Sequence, residues 1–336
     1  MTGTDTTEYE VVVVGGGPAG LTAALYATRL NHDTAVVDRG GGRAAMMQDI
    51  HNVIGVPLRL ADTRTVFRST RADTYMVRVT VCELPDFETP AFERRFEALA
   101  EHVAVNGSDL VVLPELPFAP WLAARDPADA DRAWERAVES HAEWLAELDA
   151  LAPATVVGSR PVVRDGRRYN EGFVHADATR GVHLKGYLPD EPGFEEASWY
   201  EAGDGSFDPA EAAGLDVGFL VCTDLWASHE VRRYGRAGVD LLVNPRVTER
   251  RTTEKWLAGA RTMGVLAGAY LASSNRSGSD QGVTFGGAGW ITGPDGTVLA
   301  RTDEDHPFAT VDVDPAVAER AETTYPRDAL ARAEER

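Results

Sequence analysis

The sequence predicts an α/β fold in two unequal parts. Strand-sized apolar runs, such as residues 11–14 and 110–113, alternate along the chain with segments of helical periodicity. This alternation is typical of α/β sheets. A glycine-rich turn directly follows the first apolar run and has no counterpart later in the sequence. The chain has 336 residues, 43% of them apolar, which is enough to bury one large core or two modest ones.

The first part, residues 9–57, predicts a strand, a helix and a second strand. Residues 9–14 and 34–38 are apolar runs of strand length, and residues 21–30 between them have helical composition. This order is an isolated Rossmann-like βαβ fragment. A unit of about 50 residues buries too little surface to be stable alone.

A glycine-rich turn joins the first strand of this fragment to its helix. Gly15, Gly17 and Gly20 form the pattern G-x-G-x-x-G, and Asp38 closes the second strand. Such glycines let a pyrophosphate approach the N-terminus of a helix, and the acid accepts a hydrogen bond from a ribose hydroxyl. These four residues are the candidate binding site for FAD or NAD(P).

Residues 9–57 resemble the N-terminus of a thioredoxin reductase-like flavoprotein. The residues that carry the resemblance are the run Gly-Gly-Gly-Pro-Ala-Gly, Val37-Asp38-Arg39 and His51-Asn52-Val-Ile-Gly55. The sequence has no second G-x-G-x-x-G pattern after a strand. It also has no Cys-x-x-Cys pair, because its two cysteines stand at positions 82 and 222. We therefore expect residues 1–57 to be a truncated fragment that binds no FAD, and residues 58–75 to be a linker.

The second part begins at residue 76 and contains most of the predicted elements. Apolar residues at helical spacing, together with an alanine-rich amphipathic stretch, predict helices over 92–105, 128–151, 228–237 and 252–267. Short apolar runs predict strands at 77–83, 109–113, 154–158, 168–175, 215–222, 239–244, 269–274, 287–291, 297–300 and 308–313. The run Gly-Pro-Asp-Gly at 293–296 predicts a turn.

Three short segments of this part carry candidate chemistry. Glu115 follows the carboxyl end of a predicted buried strand, where the active sites of α/β sheets usually lie. It is either a general base or a residue that caps the next helix. Lys185, one of only two lysines, lies in a loop rich in glycine and proline, and is either functional or a solvated surface residue. Cys222 precedes a predicted helix, whose N-terminus and a nearby cation would favour its thiolate. The alternative for Cys222 is a small buried apolar residue.

The order of these segments resembles the carbon-nitrogen hydrolase (nitrilase) superfamily over residues 76–320. The resemblance implies that Glu115 is the general base, Lys185 the oxyanion-stabilising cation and Cys222 the nucleophile. Glu196 corresponds to the second glutamate of the family, which would hold Lys185 or a substrate amine. Further matching segments are Asn244-Pro245-Arg246, Ser274-Asn275-Arg276 and Phe285-Gly286-Gly287-Ala288-Gly289-Trp290.

The resemblance also implies a fold, a reaction and an assembly. The expected domain is an α-β-β-α sandwich of the nitrilase type, followed by a tail over 321–336. The protein is expected to form a homodimer or a higher homo-oligomer. The expected reaction needs no metal or organic cofactor: the cysteine forms a thioester, ammonia leaves and water hydrolyses the thioester. The loop 188–193 is similar to that of N-carbamoylputrescine amidase-like amidases, which favours a small amide or N-carbamoyl substrate. Cys222-Thr223-Asp224 departs from the Cys-Trp-Glu of true nitrilases.

The charge of the chain limits its partners. Asp and Glu number 53 against 33 Lys and Arg, so the formal charge of −20 repels nucleic acids and anionic membranes. Abundant acids with almost no lysine are typical of proteins from salt-loving archaea, although a G+C-rich codon bias also produces the pattern. The sequence shows no signal-peptide pattern and no membrane-length apolar run, so we expect a cytoplasmic protein.

Two other functional classes stay open at this point. One is a FAD- or NAD(P)-dependent oxidoreductase, in which the N-terminal fragment binds a dinucleotide. The other is a non-catalytic interaction protein that keeps the sandwich as a scaffold.

Overall fold

A computed structural model describes residues 11–14, 34–37, 76–192, 194–327 and 329. The chain divides into two compact units, residues 1–74 and 75–336. In the first unit, β1 (Val11–Val14) and β2 (Thr34–Val37) pair in parallel, as a βαβ fragment requires. The predicted helix at 21–30, the linker at 58–75, and the residues Gly15, Gly17, Gly20 and Asp38 lie outside the described residues.

The second unit contains sixteen strands and five α-helices among its described residues. The strands are β3 (Val77–Pro85), β4 (Leu110–Val112), β5 (Thr155–Arg164), β6 (Arg167–His175), β7 (Thr179–Leu184), β8 (Asp190–Glu191), β9 (Phe194–Glu195), β10 (Ala210–Ala212), β11 (Leu215–Phe219), β12 (Leu241–Arg246), β13 (Tyr270–Ser277), β14 (Ser279–Asp280), β15 (Val283–Thr284), β16 (Trp290–Thr292), β17 (Val298–Arg301) and β18 (Phe308–Val313). The helices are α1 (Pro90–Asn106), α2 (Ala130–Glu147), α3 (Ser228–Ala237), α4 (Thr253–Ala267) and α5 (Pro315–Glu322). None of the described helices is long and apolar enough to span a membrane.

The strands form two halves that meet at β3 and β13. The order is β10-β11-β12-β13-β3-β4-β5-β6-β7, with β16 beside β13 and β18 beside β3. β3 is parallel to β4 and to β13 and antiparallel to β18. Because β3 pairs with β13 only over its last three residues, the two halves diverge and can face each other.

Three of the apolar clusters lie between and outside the two halves of the sheet, as in an α-β-β-α sandwich. Alternate residues of β3 point to opposite faces, as in any strand. Val77, Val79 and Val81 join the cluster between the two halves, whereas Cys82 and Leu84 pack with α1. On the outer face of the other half, α3 and α4 cover β11, β12 and β13. The fold predicted from the sequence is therefore confirmed.

Two predicted elements differ from the structure in an informative way. The strand expected at 287–291 begins only at Trp290, because Gly287 and Ala288 have φ angles of 54° and 55° in the left-handed region, which ends a strand. The helix expected at 128–151 is α-helical over 130–147 and continues as a 3₁₀ turn over 148–151. β7 was not predicted, since its sequence Thr-Arg-Gly-Val-His-Leu lacks a clear apolar alternation.

Candidate active site

The ends of three strands bring the candidate residues to one edge of the sandwich. Glu115 lies three residues after β4, Lys185 directly after β7 and Cys222 three residues after β11. β7 runs parallel to β4 because two successive antiparallel pairings, with β5 and β6, restore the direction of the chain. All three side chains therefore leave carboxyl ends of strands, and their exposures are only 0%, 1% and 3%.

Lys185 lies between two buried carboxylates. Its Nζ donates to Glu115 Oε1 at 2.8 Å and to Glu196 Oε2 at 2.5 Å. Asn170 Nδ2 donates to the same oxygen of Glu115 at 2.8 Å, and the Tyr200 hydroxyl donates to Glu196 Oε2. The structure thus brings together three of the four predicted residues by direct hydrogen bonds.

The charges of this cluster follow from burial and from mutual attraction. Burial alone would lower the pKa of Lys185, but Glu115 and Glu196 raise it well above its usual value, so the amine is an ammonium. Burial, with the nearby charge of Glu115, raises the pKa of Glu196 to about 7 despite the opposing effect of Lys185. Burial and Glu196 also raise the pKa of Tyr200, which keeps that phenol neutral and able to donate.

Cys222 lies in a strained turn next to this cluster. Its φ of 47° is in the left-handed region, which a residue with a side chain adopts only when its surroundings fix it. Its thiol donates to the carbonyl of Val247 across 3.7 Å. Burial and the charge of Glu115 raise the pKa of Cys222 well above its usual value, and Lys185 lowers it only in part. The nearby cation thus favours the thiolate of this cysteine, as expected, but desolvation outweighs the cation.

Asn244 fixes the turn that carries Cys222. Its Nδ2 donates to the carbonyls of Leu220 and Cys222, at 2.5 and 3.1 Å. The hydroxyl of Ser273 donates to the carbonyl of Asn244 at 2.7 Å and accepts from Arg246 Nε at 2.9 Å. The Asn-Pro-Arg segment therefore holds the turn from the neighbouring strand.

Asp224 joins the turn of Cys222 to the loop of Lys185. Its Oδ1 accepts from the backbone amides of Gly186 and Tyr187 at 3.0 and 2.9 Å. Its Oδ2 accepts from the amide of Val221 at 3.1 Å. A single buried carboxylate thus fixes the spacing between the segments on either side of the site.

Several buried polar atoms in and around this cluster have no hydrogen-bond partner. They include Glu115 Oε2, Glu196 Oε1, Asn170 Oδ1 and the indole Nε1 of Trp199. Trp199 packs in one apolar cluster with Leu116, which follows Glu115, and with Val247, which receives the thiol hydrogen bond. Unpaired buried polar atoms are costly, so the acceptors and the donor of this site call for a polar ligand.

The remaining predicted segments have supporting roles. The guanidinium of Arg246 lies 3.8 Å from the ring centroid of Trp290, and burial lowers its pKa to about 9. Arg276 pairs with Asp86 and donates to the carbonyl of Leu116 at 2.9 Å. These arginines fix the segments that follow Glu115 and support Cys222.

Sequence reasoning assigned no role to Asn170, Tyr200 or Asp224. Asp224 and Tyr200 lie inside segments that the family resemblance singled out, two residues after Cys222 and four after Glu196. No pattern in the sequence marks Asn170. Its importance is visible only in the structure, where it is a buried amide in the strand that pairs with β7. Among the described residues, no group of three or more His, Cys, Asp or Glu side chains is arranged to hold a metal ion.

Comparison with known proteins identifies the second unit. Residues 78–323 match the family described as carbon-nitrogen hydrolase, which is most of the chain. The chain belongs to the carbon-nitrogen hydrolase family. The fold agrees with the crystal structure of a carbon-nitrogen hydrolase from Helicobacter pylori, with a TM-score of 0.68 and 23% identity over 76% of this chain and 95% of that one.

Sequence relatives cover both parts of the chain. The N-carbamoylputrescine amidase of Arabidopsis thaliana is 28% identical over 153 residues, which are 40% of this chain and 51% of the relative. The chain thus spans about half the length of this carbon-nitrogen hydrolase relative. Residues 9–81 match the pyridine nucleotide-disulphide oxidoreductase family. The thioredoxin reductase of Bacillus subtilis is 45% identical over 49 residues, 14% of this chain and 16% of that enzyme. Both resemblances predicted from the sequence are confirmed.

Proposed function

We propose that this protein is a thiol hydrolase that releases ammonia from a small amide or N-carbamoyl amine. The observation that carries the proposal is the buried hydrogen-bonded group of Lys185, Glu115 and Glu196 beside the strained thiol of Cys222. An ammonium beside a thiol and a carboxylate suits an oxyanion formed by attack on a carbonyl carbon.

In the first step the thiol of Cys222 gives its proton to Glu115 as its sulfur attacks the carbonyl carbon. The raised pKa of the thiol favours proton transfer during attack rather than a preformed thiolate. Glu115 Oε2, which has no partner, is the oxygen available to take this proton, while Oε1 stays bound to Lys185 and Asn170. Lys185 and the amide of Thr223 stabilise the oxyanion.

In the second step Glu115 returns the proton to the leaving nitrogen, the carbon–nitrogen bond breaks and ammonia departs. The product is a thioester on Cys222. Glu115 then takes a proton from water, whose oxygen attacks the thioester carbon and frees the thiol. An amide yields a carboxylic acid, whereas an N-carbamoyl amine yields a carbamic acid that loses carbon dioxide to give the amine.

Glu196 orients Lys185 and binds the substrate. Its Oε2 accepts from Lys185 and Tyr200, whereas its Oε1 has no partner and can accept an N–H of the amide. A primary amide offers two N–H donors, which matches the unpaired oxygens of Glu196 and Glu115. The relative named N-carbamoylputrescine amidase favours a terminal carbamoyl group as one such head group.

The test measures ammonia release together with the mass of the protein. The protein is incubated with a panel of primary amides, N-carbamoyl amines and nitriles, and trapped at short times by acid. We expect ammonia from amides or carbamoyl amines and an acyl adduct on the peptide that contains Cys222. Ammonia release without an adduct on Cys222, or release from nitriles alone, would contradict the proposal.

A further inference from the structure

A shallow groove opens between the two loops that carry Lys185 and Cys222. Its volume is about 320 Å³, and its walls are Tyr187, Leu188, Pro189, Thr223, Trp226 and His229, with one alanine. Tyr187 is two residues beyond the lysine, and Thr223 directly follows the cysteine. Thr223 Oγ1 donates to the carbonyl of Tyr187 at 2.5 Å, so the two walls are tied together.

The aromatic walls of the groove are fixed in place. The Tyr187 hydroxyl and His229 Nε2 are 2.9 Å apart, and the two rings meet edge to face. Trp226 packs on Trp256 with the ring centroids 5.3 Å apart. A Cβ at Gly259 would lie 2.6 Å from the Trp226 ring, so only glycine at this point of α4 gives the indole its position. Trp226 and Tyr187 are nevertheless 38% and 39% exposed, so a ligand can cover them.

No Asp, Glu, Lys or Arg side chain is among the described residues that line the groove. The nearest carboxylate of α3, Glu230, is already paired with Arg233 at 2.7 Å and lies 3.2 Å from His229. Lys255, the second lysine of the chain, has its ammonium 5.6 Å from the Trp226 ring. A cation in the groove would therefore meet the like charge of Lys255, whereas the two carboxylates that act on Tyr187, Asp224 and Glu230, are already hydrogen-bonded.

We propose that this groove is the subsite for the remote part of the substrate, and that it takes an uncharged alkyl or aryl tail. The inference rests on the proposed function, since it defines which amides that site accepts. The tail stays on the acyl side in primary amides and in N-carbamoyl amines alike, so it remains bound while ammonia leaves. Asp190 and Glu191 are exposed in β8 and do not line the groove.

The experiment compares kcat/KM for acetamide, hexanamide and δ-aminovaleramide. The last two have chains of equal length that end in a methyl group or an ammonium. We expect the wild type to favour hexanamide over each of the others by about tenfold or more, the usual effect of apolar contacts in a pocket. In Trp226→Ala the ratio of hexanamide to acetamide falls about tenfold. Tyr325→Ala, which removes an aromatic ring exposed elsewhere, keeps the wild-type ratio.

Several outcomes would overturn the proposal. An unchanged ratio in Trp226→Ala, or a preference for δ-aminovaleramide, contradicts the apolar subsite. A change of oligomeric state in Trp226→Ala on gel filtration, with the ratio unchanged, assigns the groove to contact between copies of the chain. Hydrolysis of acetamide without any tail effect refutes the groove alone. Equal ammonia release by wild type and Cys222→Ala on all three amides refutes the proposed function as well.

Discussion

The buried imidazole of His183 and the buried carboxylate of Asp224 are hydrogen-bonded, with 2.9 Å between Nε2 and Oδ2. The other ring nitrogen, Nδ1, lies 3.2 Å from the carbonyl of Ser206. A carboxylate accepts, so Nε2 of His183 donates the hydrogen bond to Asp224. The side-chain exposures are 1% and 0%. Asp224 thus receives hydrogen bonds from one imidazole and three backbone amides, which makes it the central acceptor between the two loops.

Asp224→Asn tests this central position. The amide keeps one acceptor oxygen and places an NH₂ group opposite backbone donors, so buried N–H groups lose their partner, at a cost of about 1–3 kcal/mol each. We expect a lower free energy of unfolding in chemical denaturation and a kcat reduced by at least about tenfold in ammonia release. Asp305→Asn, at an exposed position, serves as the matched control. Wild-type kcat in Asp224→Asn would show that the two loops keep their spacing without it.

The two cysteines provide a matched pair for the nucleophile. Both are buried and free, and burial raises the pKa of Cys82 to about 12. We expect Cys222→Ala to reduce ammonia release to background, because it removes the attacking sulfur and little volume. Cys82→Ala loses packing against Leu84 and α1 and the thiol hydrogen bond to the carbonyl of Val112, and should keep kcat with a modest loss of stability. The idea fails if Cys222→Ala retains activity comparable to that of Cys82→Ala.

The two lysines allow the same comparison for the cation. We expect Lys185→Arg to lose about a hundredfold or more in kcat, since a planar guanidinium cannot replace a compact ammonium between Glu115 and Glu196. Lys255→Arg retains its positive charge at an exposed position and should keep kcat. Circular dichroism checks that both variants fold. Recovery of most of the rate by Lys185→Arg would show that Lys185 does not stabilise the oxyanion.

The pKa of Glu196 predicts how its carboxyl group affects stability at different pH values. The folded state raises this pKa from 4.5 to about 7, so the folded chain holds the proton more tightly than the unfolded chain. Stability contributed by this proton is present below pH 4.5 and is lost as the pH rises to about 7.

We therefore expect the free energy of unfolding of Glu196→Gln, relative to wild type, to rise over this pH range. Chemical denaturation at several pH values in high salt measures the difference. Glu304→Gln, at an exposed position, serves as the control: it shows how the free energy of unfolding changes with pH when a solvated carboxyl group is removed. Parallel curves for wild type and Glu196→Gln would contradict the raised pKa.

Salt concentration should control the stability of the whole chain. A formal charge of −20 repels itself over a Debye length of about 30 Å at 0.01 M salt but only about 3 Å at 1 M. We predict that the melting temperature rises with KCl concentration. The rise should be larger than that of a carbon-nitrogen hydrolase with balanced charge, measured in parallel. A melting temperature independent of KCl would contradict adaptation to high salt.

The fold and much of the candidate site could be predicted because their signals are local or follow a known order. Apolar runs located β4, β11 and β12 close to their observed positions, and each run ends near a polar residue of the site. Lys185 was identified by its rarity and by the family order, although β7, which positions it, has no clear pattern of its own.

The rest depends on contacts between distant parts of the chain. Asn170 reaches Glu115 across 55 positions, and Asp224 reaches Tyr187 across 37. Neither distance can be derived from spacing in the sequence. The raised pKa of Cys222 could not be predicted for a related reason: a helix N-terminus and a cation are visible in the sequence, but the depth of burial is not.

The pairing of β18 with β3 determines when this domain can be completed during synthesis. Residues 77–82 pair with residues 313–308, at separations of 226 to 236 positions. On a ribosome, the strand that joins both halves of the sandwich therefore keeps one edge open until nearly the whole domain has emerged. Open strand edges promote aggregation, and contacts of such long range slow folding. We therefore expect a nascent chain that lacks residues 308–313 to expose this edge of β3 and to be prone to aggregation.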